Sequence, residues 1–462
     1  MTQINDTLHA IAHCETVPRV GRVTQYYGMA VESNGPDVFL GELCEVYPPS
    51  QVEPIIAEVV GFRDGKVMLM PYGNMHGVHV GSEIIATGKS ATVPVGADLI
   101  GRVVDAFGQP LDDGPSVIAA EHYPLYPEPI NPLTRKPITE ILETGVGVID
   151  SFITVGKGQR MGIFAGSGVG KSTMLGMVAR NSQSTVNVIA LIGERGREVI
   201  DFIESNLGAS GLAKSIVVVA GADQPALVRT RAAFAATAIA EYFKNQGQDV
   251  MLAMDSVTRF AMAQREIGLA IGEPPTARGY TPSSFSILPK LVERAGNFQT
   301  GGSITAFYTV LVEGDDFNEP VTDNLRAILD GHIVLSRTIA NQGVLPAVAV
   351  LESVSRLQDK LVDANHKQLI REIIRLFSIY EESKDMIDLG VYEPGRNLDL
   401  DKALDVVPEV RRLISQASEE VIDMADLLLQ FAGLLNRPMA QKRSDQSNPI
   451  ARIARQAARL SS

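Results

Sequence analysis

RMGIFAGSGVGKSTMLGMVARN, Arg160 to Asn181, runs three kinds of sequence together without a break. Arg160–Phe164 is an apolar run of strand type, and Thr173–Asn181 has the spacing of a helix. Between them lies AGSGVGKST, Ala165–Thr173. Gly166, Gly168 and Gly170 let the backbone curl so that successive N–H groups point at a polyphosphate. Lys171 brings a positive charge toward the β- and γ-phosphates, and the Ser172 hydroxyl suits Mg2+. The loop as a whole, including Ser167 and Val169, is therefore the candidate ATP cradle. The usual pattern opens with glycine; this chain has Ala165, a small residue that makes few demands on the backbone.

Working outward, apolar β-branched runs alternate with helical stretches from about residue 140 to 355: VNVIALIGE, SIVVVAGA, DVMLAMD, SITAFYTVLVEG, HIVLSR and LPAVAVLES. That alternation predicts a mostly parallel sheet covered by helices on both faces. Upstream, RVGRVTQYYGMAVES, IIAEVVGF and GKVMLMPYG are short β-type runs broken by turn residues, predicting a small barrel that ends near residue 90. The Pro-, Asp- and Gly-rich segment 110–137 reads as a connector without regular structure. Beyond about 360, ANHKQLIREIIRLFSIYEESKDMI and EVRRLISQASEEVIDMADLLLQFAGLL are helical. The α/β chain divides into an N-terminal helix and β-barrel (1–90), a P-loop ATPase domain (91–362), a C-terminal helical domain (363–436) and a basic tail (437–462).

A phosphate cradle does not hydrolyse ATP unaided. Water must be oriented and the metal held, and carboxylates at the C-terminal ends of neighbouring parallel strands suit both tasks. Glu194 ends VNVIALIGE and Asp255 ends DVMLAMD. Asp255 fits the metal-organising acid and Glu194 the residue that activates water, although a strand-end acid also commonly caps the next helix. Positive charge beyond the metal is needed at the transferred phosphoryl group. Arg195 is the adjacent candidate and Arg356, in AVLESVSR, a second, although by itself Arg356 reads first as a surface or interface arginine.

Composition excludes several classes. The net charge of −13 argues against a nucleic-acid partner, since phosphate backbones are bound mainly by Lys and Arg. No apolar run reaches the roughly 20 residues of a membrane span. Cys14 and Cys44 are too few for a disulfide framework, the start has no secretory pattern, and none of the seven histidines has metal-ligand spacing, so a cytosolic chain is predicted. From Arg437 onward six basic residues face a single acid. This tail is either a solvated extension or, with Ile450, Ile453 and Leu460 on one face, a basic amphipathic helix.

AGSGVGKS, LIGERGREV, LAMDSVTRFA, GEPPTARGYTPSSFSILPKLVERAG, DDFNEPVTDNLRAILDGHIVLSR and LESVSR, in this order, resemble the rotary-type ATPase superfamily. Within it they are most similar to the flagellar export and type III secretion ATPases, with the flagellar branch preferred from ARGYTPSSF. The resemblance spans Val20 to Leu435 and implies a RecA-like central domain. It implies that Lys171 and Ser172 bind phosphate and metal, that Glu194 is the catalytic glutamate, that Arg195 contacts phosphate, and that Asp255 organises the metal. Arg356 becomes the arginine finger given to a neighbouring subunit. With Glu194 and Arg356 on one polypeptide, identical subunits suffice for a homohexamer.

Other implied partners are a stator-like protein at the N-terminal face Ile4, Leu8 and Ile11, and a coiled-coil stalk facing the loop Gly272–Tyr280. Chaperone–cargo complexes and the export-gate proteins at the inner face of the membrane complete the set. Two positions depart from the pattern: Ala349 stands where Asp or Asn is usual, and DANHKQ around His366 has no aromatic for the adenine ring. A catalytic subunit of a rotary ATP synthase and an RNA-translocating hexameric helicase are the alternatives that share the core.

Overall fold

A computed structural model describes residues 17–49, 53–312, 314 and 316–437. The expected N-terminal helix, and the basic tail beyond Arg437, lie outside the described residues. Strands β1 (Val20–Tyr27), β2 (Ala30–Asn34), β3 (Glu42–Tyr47), β4 (Ile55–Arg63), β5 (Lys66–Pro71) and β6 (Glu83–Ser90) close into a barrel in the order β1-β2-β5-β4-β3-β6. Closure comes from β6 pairing antiparallel with β1, Ile85 opposite Val20. Alternate residues such as Val23, Val31, Cys44, Val59 and Leu69 turn inward and form a separate small core. Burial, aided by the Glu42 carboxylate, pushes the Cys44 thiol up to about 12, so it behaves as a small apolar group.

The segment from 92 onward first makes β7 (Thr92–Val95), β8 (Val103–Asp105) and β9 (Glu121–Pro124). β9 pairs antiparallel with β7 inside the span expected to lack regular structure. It is four residues long and bounded by turn-type sequence, too short to leave a period.

The central sheet then gathers β10 (Arg160–Ala165), β11 (Val186–Ile192), β12 (Ser215–Ala220), β13 (Val250–Asp255), the short β14 (Gly296–Asn297), β15 (Ser303–Leu311), β16 (Gly331–Leu335) and β17 (Val354–Ser355). Their order is β17-β16-β10-β15-β13-β11-β12-β8, with β14 on β15. All pairings from β16 to β8 are parallel; β14 and β17 add antiparallel. Parallel strands need both faces covered, and β11 shows it: Val188 and Ala190 face one core while Ile189 and Leu191 face the other. The first core holds the helices Ala226–Asn245, Val257–Ala270 and Pro282–Val292. The second holds Lys171–Asn181 and the C-terminal helices.

Two other expectations change. LPAVAVLES is not a strand: Pro346 has no N–H to give, and the run has no continuous ladder to β16, just the backbone bonds Ser336–Ala347 and Ala349–Val334, one bridge from Leu335 to Val348, and side-chain bonds Val334 N to Ser353 Oγ and His332 Nε2 to Glu352 O. The last helical stretch is two helices, Leu398–Ile414 and Met424–Leu435. Between them the buried Gln416 turns its amide to the ATPase domain, accepting from Gly147 N at 3.1 Å and donating to Gly145 O at 2.7 Å.

A buried charge joins barrel to sheet. Arg231, 4% exposed on the helix Ala226–Asn245, donates to Thr92 O (2.6 Å), Ala106 O (3.1 Å) and Tyr72 Oη (3.2 Å). Tyr72 Oη in turn donates to Glu58 of β4. The guanidinium lies 4.5 Å from the centre of the Phe107 ring. Burial raises the Glu58 carboxyl, with Tyr72 and Arg231 pulling it back. Arg231→Met takes the donor from two carbonyls and the nearby cation from the buried Tyr72–Glu58 pair; urea unfolding is expected to show a loss of about 3–5 kcal/mol, and an unchanged midpoint refutes it.

Candidate active site

The loop Ala165–Thr173 lies at the C-terminal end of β10. Ala165 is still strand, in register with Leu311 and Leu335 on either side, so that position needs no special backbone and alanine serves. The curl begins three residues later, at Gly168 (φ 77°) and Gly170 (φ 93°), a left-handed region that costs other residues energy. Val169 between them is buried and roots the loop in the second core. Lys171 and Ser172 open the helix Lys171–Asn181, whose N-terminus adds unpaired N–H groups and partial positive charge.

β13 and β10 are separated by β15, and all three contribute to one cluster. Lys171 Nζ pairs with Asp255 Oδ1. Thr309 Oγ1 of β15 donates to the same oxygen at 2.8 Å. Asp255 is 2% exposed, so its charge is held by these partners rather than by water. Neither acid caps a helix. Ser256 caps Val257–Ala270, accepting from Arg259 N, and the helix Gly196–Asp201 has Arg195 at its N-cap with no side-chain cap.

Glu194 is half-buried beyond β11. Burial first, then the carboxyl of Glu198 and the charge of Asp255, push it up to about 7, against the pull of Lys171 and Arg259. The Glu198 carboxyl moves down, chiefly through its hydrogen bond with Glu194. The two carboxyls thus pull each other apart, Glu194 upward and Glu198 downward.

Lys171, Asp255 and Glu194 are accordingly one electrostatic unit. Arg195 is not part of it in this conformation: its side chain is 78% exposed and donates to Glu198 Oε1 at 3.1 Å. Arg356 is further away. Its backbone N–H donates to Asp330 O at 3.0 Å, and Asp330 N donates to Arg160 O at 2.9 Å. Arg356 therefore sits by the first residue of β10, whereas the loop leaves the last, roughly 16 Å along the strand.

Sequence reasoning missed Thr309, Arg259 and Arg337. Arg259 follows Asp255 by one helical turn in DSVTRF, a signal that was legible. Arg337 ends HIVLSR and donates to Ser167 O at 3.0 Å, bracing the loop. Thr309 in SITAFYTVL carries no local signal, because only the sheet order brings it to Asp255. His366 is structural: its N–H is capped by Asp363 and its ring meets Ser151 O at 2.8 Å.

The folded Glu194 carboxyl lies above its ordinary value of 4.5, so it costs the apo fold nothing below that pH and an increasing amount as pH rises toward about 7. Glu194→Gln removes this cost. The melting temperature of the nucleotide-free variant is expected to exceed that of the parent at pH 8 by more than at pH 5; an equal gap at both pH values refutes it.

Comparison with known proteins agrees along the chain. Residues 23–88 match the beta-barrel domain of the ATP synthase alpha/beta family, residues 145–355 its nucleotide-binding domain, and residues 362–432 the T3SS EscN ATPase C-terminal domain. The flagellum-specific ATP synthase of Bacillus subtilis is 51% identical over 89% of this chain and 94% of its own. The type 3 secretion system ATPase of Xanthomonas euvesicatoria is 46% identical over 87% of this chain and 91% of its own. Among solved structures, the assembled ATPase EscN of the enteropathogenic E. coli type III secretion system superposes with a TM-score of 0.85 at 40% identity, over 90% of this chain and 100% of that one. The same ATPase in complex with its central stalk EscO gives 0.82 at 39% identity, with the same coverage. The chain belongs to the family of flagellum-specific ATP synthases and type III secretion ATPases, a branch of the ATP synthase alpha/beta family.

Proposed function

We infer that this chain is the ATPase that energises flagellar or type III protein export, and that each active site is completed by a second copy of the chain. The observation that carries this reading is the length of β10 between Arg356 and the phosphate loop. An arginine needed at the γ-phosphate is out of reach of its own loop, so it serves the neighbour's.

In that site the loop N–H groups and Lys171 cradle the β- and γ-phosphates of ATP. Mg2+ takes mainly water and phosphate oxygens with one or two protein oxygens, and Ser172 and Asp255 offer a hydroxyl and a carboxylate. The ion would neutralise charge developing on the phosphate oxygens. Glu194 orients the attacking water and takes its proton while the oxygen bonds to the γ-phosphorus and the bond to the bridging oxygen breaks. Its value near 7 suits a base working at neutral pH. Arg195, released from Glu198, and the partner copy's finger supply the remaining positive charge.

The assembled EscN and its EscO stalk support a homohexamer with a coiled-coil stalk in its channel. Gly272–Tyr280 would meet that stalk, braced by the Arg278–Asp316 ion pair. No helix among the described residues is long and apolar enough to cross a membrane. The chain would deliver chaperone-released cargo to a membrane gate, with a stator-like protein bound at residues 1–15. We divide it at 90, 362 and 436 into barrel, ATPase, helical domain and tail.

Turnover of the purified chain is expected to rise cooperatively with protein concentration, and Glu194→Gln and Arg356→Ala are each expected to lower it by about 100-fold or more. Concentration-independent turnover, or full activity of Arg356→Ala, overturns the shared site.

A further inference from the structure

We propose that Gln159 is a positioning residue for Arg356, and that β10 ties the phosphate loop a subunit uses to the arginine it lends. This rests on the reading of Arg356 as a finger given to a neighbour.

Arg356 follows β17, which is two residues long and lies at the sheet edge. Its ladder is only Gly331↔Ser355 and His332↔Val354, too little to fix a long side chain. The approach of β17 to β16 is close: a Cβ at Gly331 would stand 2.5 Å from Val354 O, so this position admits only glycine. The Arg356 guanidinium itself donates to Arg326 O at 2.8 Å; placement of the backbone that carries it depends on side chains that reach β17 from elsewhere.

Gln159 is the side chain that does so. It is fully buried, one residue before β10. Its Oε1 accepts from Gly156 N at 2.8 Å, which fixes the amide plane. Its Nε2 donates to Ser355 Oγ at 3.0 Å and to Asp330 O at 3.3 Å. Ser355 Oγ passes on a bond to Thr154 O at 2.8 Å. Asp330 O is also the acceptor for Arg356 N. The amide thus holds the residue before the finger and shares the carbonyl that holds the finger's own backbone. Arg160 secures Asp330 from the other side, with Nε at 2.8 Å from Oδ2 and Nη2 at 3.0 Å from Oδ1.

Beyond Gln159 the chain is β10 itself, hydrogen-bonded on both edges to β15 and β16, and then the loop. A shift of the loop on binding or releasing nucleotide travels down a strand that cannot stretch and reaches Gln159. The finger offered to the next subunit moves with it. That gives a direct path by which occupancy of one site sets the competence of the adjacent one.

The test is a double-mutant cycle on the full chain with Gln159→Leu, Arg356→Lys and the pair. Steady-state turnover is measured at ring-forming concentration, and the affinity for a fluorescent ATP analogue at dilution. Gln159→Leu is expected to lower kcat by about ten- to a hundredfold, the cost of misplacing a catalytic group by about 1 Å, with KM and analogue affinity unchanged. In the Arg356→Lys background it is expected to add no further loss. A loss that multiplies fully with that of Arg356→Lys, or one that falls on KM or on analogue affinity, overturns the proposal. Arg356→Lys turning over like the parent instead overturns the finger reading beneath it. Should Gln159→Leu fail to fold, Ser355→Ala replaces it in the same cycle, and an unchanged kcat there counts against the proposal.

Discussion

A parallel strand bonded along both edges has almost no freedom to lengthen, bend or slide, and β10 is such a strand. Arg160–Ala165 pairs residue for residue with β15 on one side, and Met161–Ala165 with β16 on the other. Its last residue delivers the chain into the phosphate loop. Its first is locked to Asp330 by backbone and side-chain bonds. The phosphate loop and Arg356 are referenced to opposite ends of that segment.

The charges at the loop end are arranged so that no acid is left without compensation. Asp255 is the most deeply buried, and it has both a cation and a hydroxyl on one oxygen. Glu194, less well compensated, is pushed up to about 7. Three carboxyl groups in a confined space cannot all ionise cheaply, and here the burden falls on the residue best placed to exchange a proton with water. Phosphate arriving at the loop brings more negative charge, and Lys171 and Arg259, whose charges already act on Glu194, are there to rebalance it.

Much of this was legible from sequence because the signals were local. A strand, a glycine-rich curl and a helix are adjacent in Arg160–Asn181, and strand-end acids announce themselves by following apolar runs. The barrel was legible from short β-type runs at regular turns. What escaped depended on contacts between distant segments. Thr309 joins the cluster only because β15 inserts between β10 and β13. β9 is too brief to have a period, and Gln416 breaks a helical pattern only by bonding to Gly145 and Gly147, far back in the chain. LPAVAVLES misled for a different reason: apolar composition reports burial, and burial alone does not require a ladder when a proline removes a donor.

The barrel at the other end of the molecule has its own consequence. A sheet whose sixth strand returns to its first has no unpaired row of N–H and C=O groups to lend. Whatever this end of the molecule meets, it meets through side chains rather than through shared backbone ladders. Such contacts can be strengthened, weakened or re-aimed one residue at a time, and by salt where they are ionic, without disturbing the strands beneath. Recognition at this end is in that sense an evolutionary dial set apart from the strands that carry it.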